Sequence, residues 1–191
     1  MNKIIILLTI IFTTSCGIQS IPQSVNDVEA KWAEVQNQYK RRSDLIPNLV
    51  NIVKGYASHE KDTLTAVVEA RSKATSTNIN FDQLNDESIK KFSQAQGALT
   101  SALSRLMVVV EKYPDLKANQ NFMGLQSQLE GTENRITVAR KRYIESIQEF
   151  NNLITVPPSS FTNSFFYHHT KKPQFAVDNI EEAQKAPEVK F

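Results

Sequence analysis

Apolar residues recur in steps of three and four along most of the chain. From Val25 the series runs Val28, Trp32, Val35, Tyr39, Ile46, Leu49, Val53 and Tyr56, with Arg42 in the slot between Tyr39 and Ile46. A seam of that period marks a long amphipathic helix packed along its length. It continues less cleanly through Thr63, Leu64, Val67 and Ala70. Pro47 falls inside it. An interior proline removes one N–H donor and crowds the carbonyl four residues back, at a cost of about 3 kcal/mol. Either Ser43 or Asp44 caps a new helix close to a favoured proline position, or one long helix kinks. Because the seam keeps its phase through Pro47, one kinked helix from about Asn26 to Lys73 is expected.

The polar stretch "ATSTNINFDQLND" reads as a connection, and Asn85 or Asp86 can cap a second helix. That helix shows Ile89, Phe92, Ala95, Leu99, Ala102, Leu106, Val109 and Tyr113 on one face, and Pro114 ends it. A third stripe carries Phe122, Leu125, Leu129, Thr132, Ile136, Ala139, Tyr143, Ile147, Phe150 and Ile154, stopped at Pro157 and Pro158. With only five glycines, strands joined by Gly-rich turns are not expected. The expected fold class is all-α, an antiparallel up-and-down bundle of long helices kinked near Pro47.

The first residues follow a different pattern. "MNKIIILLTIIFTTSCG" has a positive charge at Lys3, an apolar run from Ile4 to Phe12, and small or polar residues before Cys16. The run is shorter than the roughly 20 apolar residues that span a bilayer, and it suits the core of a signal peptide. Cys16 is the only cysteine, so no internal disulfide can form. Its position resembles a bacterial lipobox, where the thiol takes a diacylglycerol before cleavage. Ser15 fits that pattern, and Thr13, where leucine is commoner, departs from it. The expected organisation is a lipoprotein signal peptide over 1–15, lipidated Cys16, a linker over 16–24, the bundle over 25–156, and an aromatic segment with a polar tail over 157–191. Acyl chains on Cys16 would hold the chain on a membrane.

A net charge of +2 on 191 residues gives no basic face of the kind nucleic-acid binders use. His59-Glu60 is half of the zinc-protease pattern His-Glu-x-x-His, but position 63 is Thr63. His168 and His169 are adjacent, and on an extended segment their side chains diverge, so neither metal nor cofactor is expected. Arg42 and Glu60 fall on the first seam, with Thr132, Glu133 and Asn134 at or beside the third. A charge in a seam must be paired, so Arg42, Glu60 and Glu133 are candidates for a buried polar layer that sets helix register. The competing reading is a proton-transfer carboxylate in a cleft. Phe161, Phe165, Phe166 and Tyr167 are candidates for contact with a bilayer or a partner, although such a cluster more commonly closes the open end of a bundle as core.

Two segments, "RRSDLIPNLVNIVKGYASHEKDTLTAVVEAR" and "YPDLKANQNFMGLQSQLEGTENRITVARKRYIESIQEFNNLI", closely resemble the LemA family of bacterial membrane-associated proteins. So does the tail, in Pro187, Val189 and Phe191. The resemblance covers roughly residues 25–191. It implies a helical bundle on a membrane-anchored chain that faces away from the cytoplasm in exported members. Many relatives begin with a membrane-spanning helix, where this chain has a short apolar run ending at Cys16. A glycine often found among the aromatics is absent from "SSFTNSFFYHH". The family carries no established catalytic residue, substrate or cofactor.

The leading expectation is therefore a non-catalytic, lipid-anchored scaffold of the cell envelope that works through an unknown envelope protein partner. Gly17 and Ile18 lack the aspartate that often retains lipoproteins at the inner membrane, which leans towards the outer membrane, facing the periplasm. The alternatives are a single-pass membrane protein, a carrier of a lipid or small apolar ligand between helices, and a metal-dependent hydrolase.

Overall fold

The computed structural model describes the backbone of residues 2–175 and the side chains of residues 18–175. Four long helices dominate: α1 (Asn2–Tyr56), α2 (Lys61–Ser76), α3 (Asp86–Val110) and α5 (Gln120–Thr155). Short helices α4 (Pro114–Lys117) and α6 (Ser159–Thr162) cap the turns, and a π-turn, Asn163–Tyr167, follows α6. The fold is all-α, with long helices packed together as a bundle.

The first seam is two helices rather than one. α1 stops at Tyr56, and the Ala57–Glu60 turn is closed by the Ala57 N–H on the Val53 carbonyl (2.8 Å) and the Glu60 N–H on the Ala57 carbonyl (3.1 Å). Gly55 and Ser58 weaken helix propensity here. The turn still buries Ala57, and α2 resumes with Leu64 and Val67 inside, so the period survives a reversal of direction. α2 runs back along α1: Arg71 Nε donates to the Ser43 carbonyl (2.8 Å), and Trp32 Nε1 to the Ile79 carbonyl just past α2 (3.0 Å).

α1 passes unbroken through two prolines, Pro22 and Pro47. Each leaves the carbonyl four residues back without its helical donor. At Pro47 that carbonyl belongs to Ser43, and Arg71 supplies the missing hydrogen bond from α2. At Pro22 it belongs to Ile18, and the Tyr167 hydroxyl donates to it at 2.7 Å from the C-terminal turn. Residues 16–24, expected as a linker, are therefore helix, with Ile21 fully buried.

Local chemistry sets the other ends. Asn85 caps α3 in a capping box with Ser88, each side chain accepting from the other's backbone N–H at 2.9 Å. Asn119 caps α5 by accepting from the Phe122 N–H. Pro157 disfavours a helical Val156, whose backbone is extended, and α5 ends at Thr155.

α1 and α5 lie antiparallel over most of their length, but α2 and α3 flank chiefly the C-terminal part of α1. In the N-terminal part the vacant side is taken by the chain after the π-turn. His168 adopts the left-handed backbone (φ 56°) that glycine favours. Buried Asn163 holds the turn, its Oδ1 accepting from the His169 N–H (2.9 Å) and its Nδ2 donating to the His169 carbonyl (3.0 Å). Asn151 of α5 makes the same pair of bonds with the backbone of Lys172. Phe175 then enters the core against Trp32, Phe92 and Tyr143.

Candidate functional site

The interior is divided into two apolar clusters. One joins Ile21, Trp32, Tyr39, Phe92, Tyr143, Phe150 and Phe175; the other joins Ile46, Leu49, Val67, Leu99, Leu106 and Phe122. Arg42 occupies the boundary. It is 1% exposed, and its guanidinium donates through Nη1 to Glu133 Oε1 (2.6 Å) and Thr100 Oγ1 (3.0 Å), and through Nη2 to Gln96 Oε1 (2.7 Å) and the Gln96 carbonyl (3.3 Å). Gln96 Nε2 continues the chain to the Ala74 carbonyl of α2 (3.3 Å). One guanidinium thus ties together all four long helices.

Arg42 Nε has no hydrogen-bond partner. The Tyr39 ring lies 5.1 Å from the guanidinium carbon and offers its electron-rich face instead. Burial holds the Tyr39 phenol above its ordinary pKa, while Arg140 and Arg42 pull it down. Outside the layer, a cleft of about 440 Å³ opens between α3 and α5, lined by Thr100, Gly97, Glu133 and Arg140 among others. Glu133 is half-exposed there, yet its carboxylate accepts the guanidinium at charge-assisted distance. The arrangement suits a register-setting layer; the carboxylate is committed to Arg42.

Of the three residues expected in this layer, the structure brings Arg42 and Glu133 together and leaves Glu60 out. Glu60 sits in the α1–α2 turn, half-buried, accepting a hydrogen bond from the Tyr113 hydroxyl (3.2 Å). It falls outside because the chain reverses at Ala57–Glu60, so its place on the linear seam does not carry into the bundle interior. Gln96 was missed in favour of Ala95. The heptad series Ile89, Phe92, Gln96, Leu99 contains the signal, with a polar residue at an inward position flanked by apolar ones. Tyr56, expected on the seam, is 46% exposed.

The aromatic segment also departs from its expected role as core. Phe161, Phe165 and Phe166 are 60%, 76% and 71% exposed, and only Tyr167 is half-buried. The histidines are scattered: His59 and His168 are exposed, while His169 stacks on Tyr167 and meets Phe150 edge-on. Among the described residues no three His, Cys, Asp or Glu side chains converge as a metal site. Nor, among them, is any helix long and apolar enough to cross a membrane. The Cys16 side chain and residues 176–191, with Pro187, Val189 and Phe191, lie outside the described residues.

A family model described as the LemA family matches residues 31–191. The chain belongs to the LemA family. This LemA-family chain is 28% identical over 153 residues to Magnetosome protein MamQ 2 of Paramagnetospirillum magneticum, a match covering 71% of the chain and 56% of the relative. It is 25% identical over 130 residues to Protein LemA of Metamycoplasma hominis, covering 68% and 55%. With MamQ of Magnetospirillum gryphiswaldense the identity is 27% over 150 residues, covering 69% and 55%. The LemA-family chain thus spans a little over half the length of these curated relatives.

Proposed function

We propose that this LemA-family protein is a non-catalytic scaffold of the cell envelope, anchored to a membrane near its N-terminus through lipidated Cys16 and acting through protein–protein contact along the bundle. The observation that carries this reading is the state of the interior polar groups. The carboxylate, guanidinium and amide of the one polar layer are bonded mainly to each other, which favours rigidity over chemistry. The long dimension of α5, 36 residues or about 54 Å, suits a strut that presents a surface at a distance from its anchor. An outer-membrane, periplasm-facing position extends the same reading.

In-cell crosslinking with mass spectrometry on the full-length chain tests this, beside the Cys16→Ser variant. A recurrent envelope protein captured by the native chain and lost with Cys16→Ser supports an anchored scaffold. A chain that is monomeric and captures no protein sinks it.

A second reading, carriage of an apolar ligand, draws on a cleft of about 310 Å³ between α3 and α5 lined in part by Leu103, Met107 and Leu129. Lipid co-purifying with the Cys16→Ser chain would favour it. A stoichiometric metal in protein purified without chelators would instead revive a hydrolase.

A further inference from the structure

The chain contains 20 Asp and Glu residues, yet two long stretches contain none: residues 1–26 and residues 150–177. They are far apart in sequence and meet in space. The Tyr167 hydroxyl bonds the Ile18 carbonyl at 2.7 Å, and Ile21 shares a core cluster with Phe150 and Ile154. One end of the molecule therefore lacks carboxylates from either stretch, and that end carries the exposed rings of Phe161, Phe165 and Phe166. Val156 and Ile18, 54% and 47% exposed, belong to the same end. Lysines at 171 and 172 are the only charged residues of the second stretch apart from histidine.

Exposed aromatic rings and, among the described residues of these two stretches, no anionic side chains form the pattern of a surface that enters the headgroup region of a bilayer. An envelope protein partner would not require carboxylates to be missing from both stretches. An anionic lipid surface would, because each carboxylate brought against it is repelled. Directly upstream of Ile18 lies the apolar run Ile4–Phe12 and Cys16. An anchor there fixes the phenylalanines close to the lipid surface, and Tyr167 holds their turn against the first helix.

We infer that the turn formed by residues 159–167 is a second membrane contact, which dips Phe161, Phe165 and Phe166 into the interface of an anionic bilayer beside the N-terminal anchor. This rests on the anchored reading above. It makes the attachment two-point and stands the bundle at a set angle to the membrane, with protein partners meeting the sides of the bundle.

The test uses the full chain in vesicles of phosphatidylethanolamine and phosphatidylglycerol doped with lipid brominated in its acyl chains. Trp32, the only native tryptophan, is 2% exposed and serves as an internal reference. Phe165→Trp adds a reporter at the turn, and Val108→Trp adds one on exposed α3 near the opposite end. The expected result is that the Phe165→Trp chain loses most of its added emission to the bromines, while the Trp32 and Val108→Trp signals do not change. If the chain floats with the vesicles but Phe165→Trp keeps its emission, the inference is overturned and the anchor stands. A cover supplied by a partner or by residues 176–191 gives that same result. If the chain does not float at all, the anchored reading fails and takes the inference with it. Equal quenching at both reporters means the protein lies flat on the lipid, which also overturns it. A photo-crosslinker at position 165 that captures protein and no lipid in cells does the same.

Discussion

The two halves of the bundle interior solve the same packing problem with different parts. Towards the C-terminal end of α1, four helices surround a core of Ile, Leu, Val and Ala, in which Phe122 is the one fully buried aromatic ring among the described residues. Towards the N-terminal end, α1 and α5 meet the start of α3, the α2–α3 connection with Ile79 and Leu84, the short helix α6 and the irregular segment that carries Phe175. There aromatic rings join the aliphatic side chains of the core: Trp32, Tyr39, Phe92, Tyr143, Phe150 and Phe175. Fewer helices leave more volume per residue, and large rings fill it with few side chains. Irregular backbone in a core must have its polar groups bonded, and Asn151, Asn163 and Tyr143 supply partners to residues 168–173. The lesson is that one half is held by helix periodicity and the other by specific side-chain to backbone bonds.

The largest expected effect tests that contrast directly. Trp32→Ala should cost about 3–5 kcal/mol in urea unfolding, since it removes three ring contacts and the bond to Ile79. Hydrogen exchange should show amides of residues 143–154 losing protection before those of α2. Equal loss in both halves would mean that the two clusters unfold as one.

Next comes the layer between them. Glu133→Ala leaves the buried Arg42 guanidinium short of its anionic partner and should cost about 1–3 kcal/mol, below the 3–5 kcal/mol typical of a fully buried pair because Glu133 is half-exposed. Arg42→Met with Glu133→Gln should restore most of that loss, by filling the boundary with apolar volume. If the double variant is as unstable as the single, the layer does more than join two cores.

The two prolines of α1 give a smaller, matched comparison. Arg71→Ala strands the Ser43 carbonyl in a part-buried site and should cost about 1–3 kcal/mol. Tyr167→Phe strands the more exposed Ile18 carbonyl and should cost only about 0.5–1.5 kcal/mol. Adding Pro47→Ala restores a helical donor for Ser43, so the cost of Arg71→Ala should shrink in that background. An unchanged cost would show that Arg71 acts through its other contacts.

The smallest effect appears only in alkali. Burial raises the phenols of Tyr39 and Tyr143 above the ordinary 10.0. The unfolded chain therefore releases those protons first. Stability should be unaffected below pH 10 and fall as pH rises beyond it, by up to about 1.4 kcal/mol per pH unit for each group. Tyr143→Phe should flatten part of that fall in thermal melts between pH 9 and 11. An identical slope would assign the alkaline loss to other groups.

The amino-acid sequence by itself determined the helical periods, the stop before Pro157 and a cap at Asn85 or Asp86, because each depends on residues within a turn or two of chain. It also showed that Arg42 had to find a partner inside. Only the tertiary structure decided that the first seam folds back at Ala57–Glu60, since a hairpin that buries both Ala57 and Leu64 leaves the period intact. Continuity through Pro47 was legible in the unbroken phase of the seam, but continuity of α1 through Pro22 was decided only by the tertiary structure. Whether an interior proline breaks a helix depends on whether a donor such as Arg71 or Tyr167 reaches the freed carbonyl, and those donors come from distant parts of the chain. Glu60 was excluded from the layer, and Phe161, Phe165 and Phe166 from the core, for a related reason. A seam read along one helix records which side faces inward, whereas space in the interior is allotted by every element that packs there.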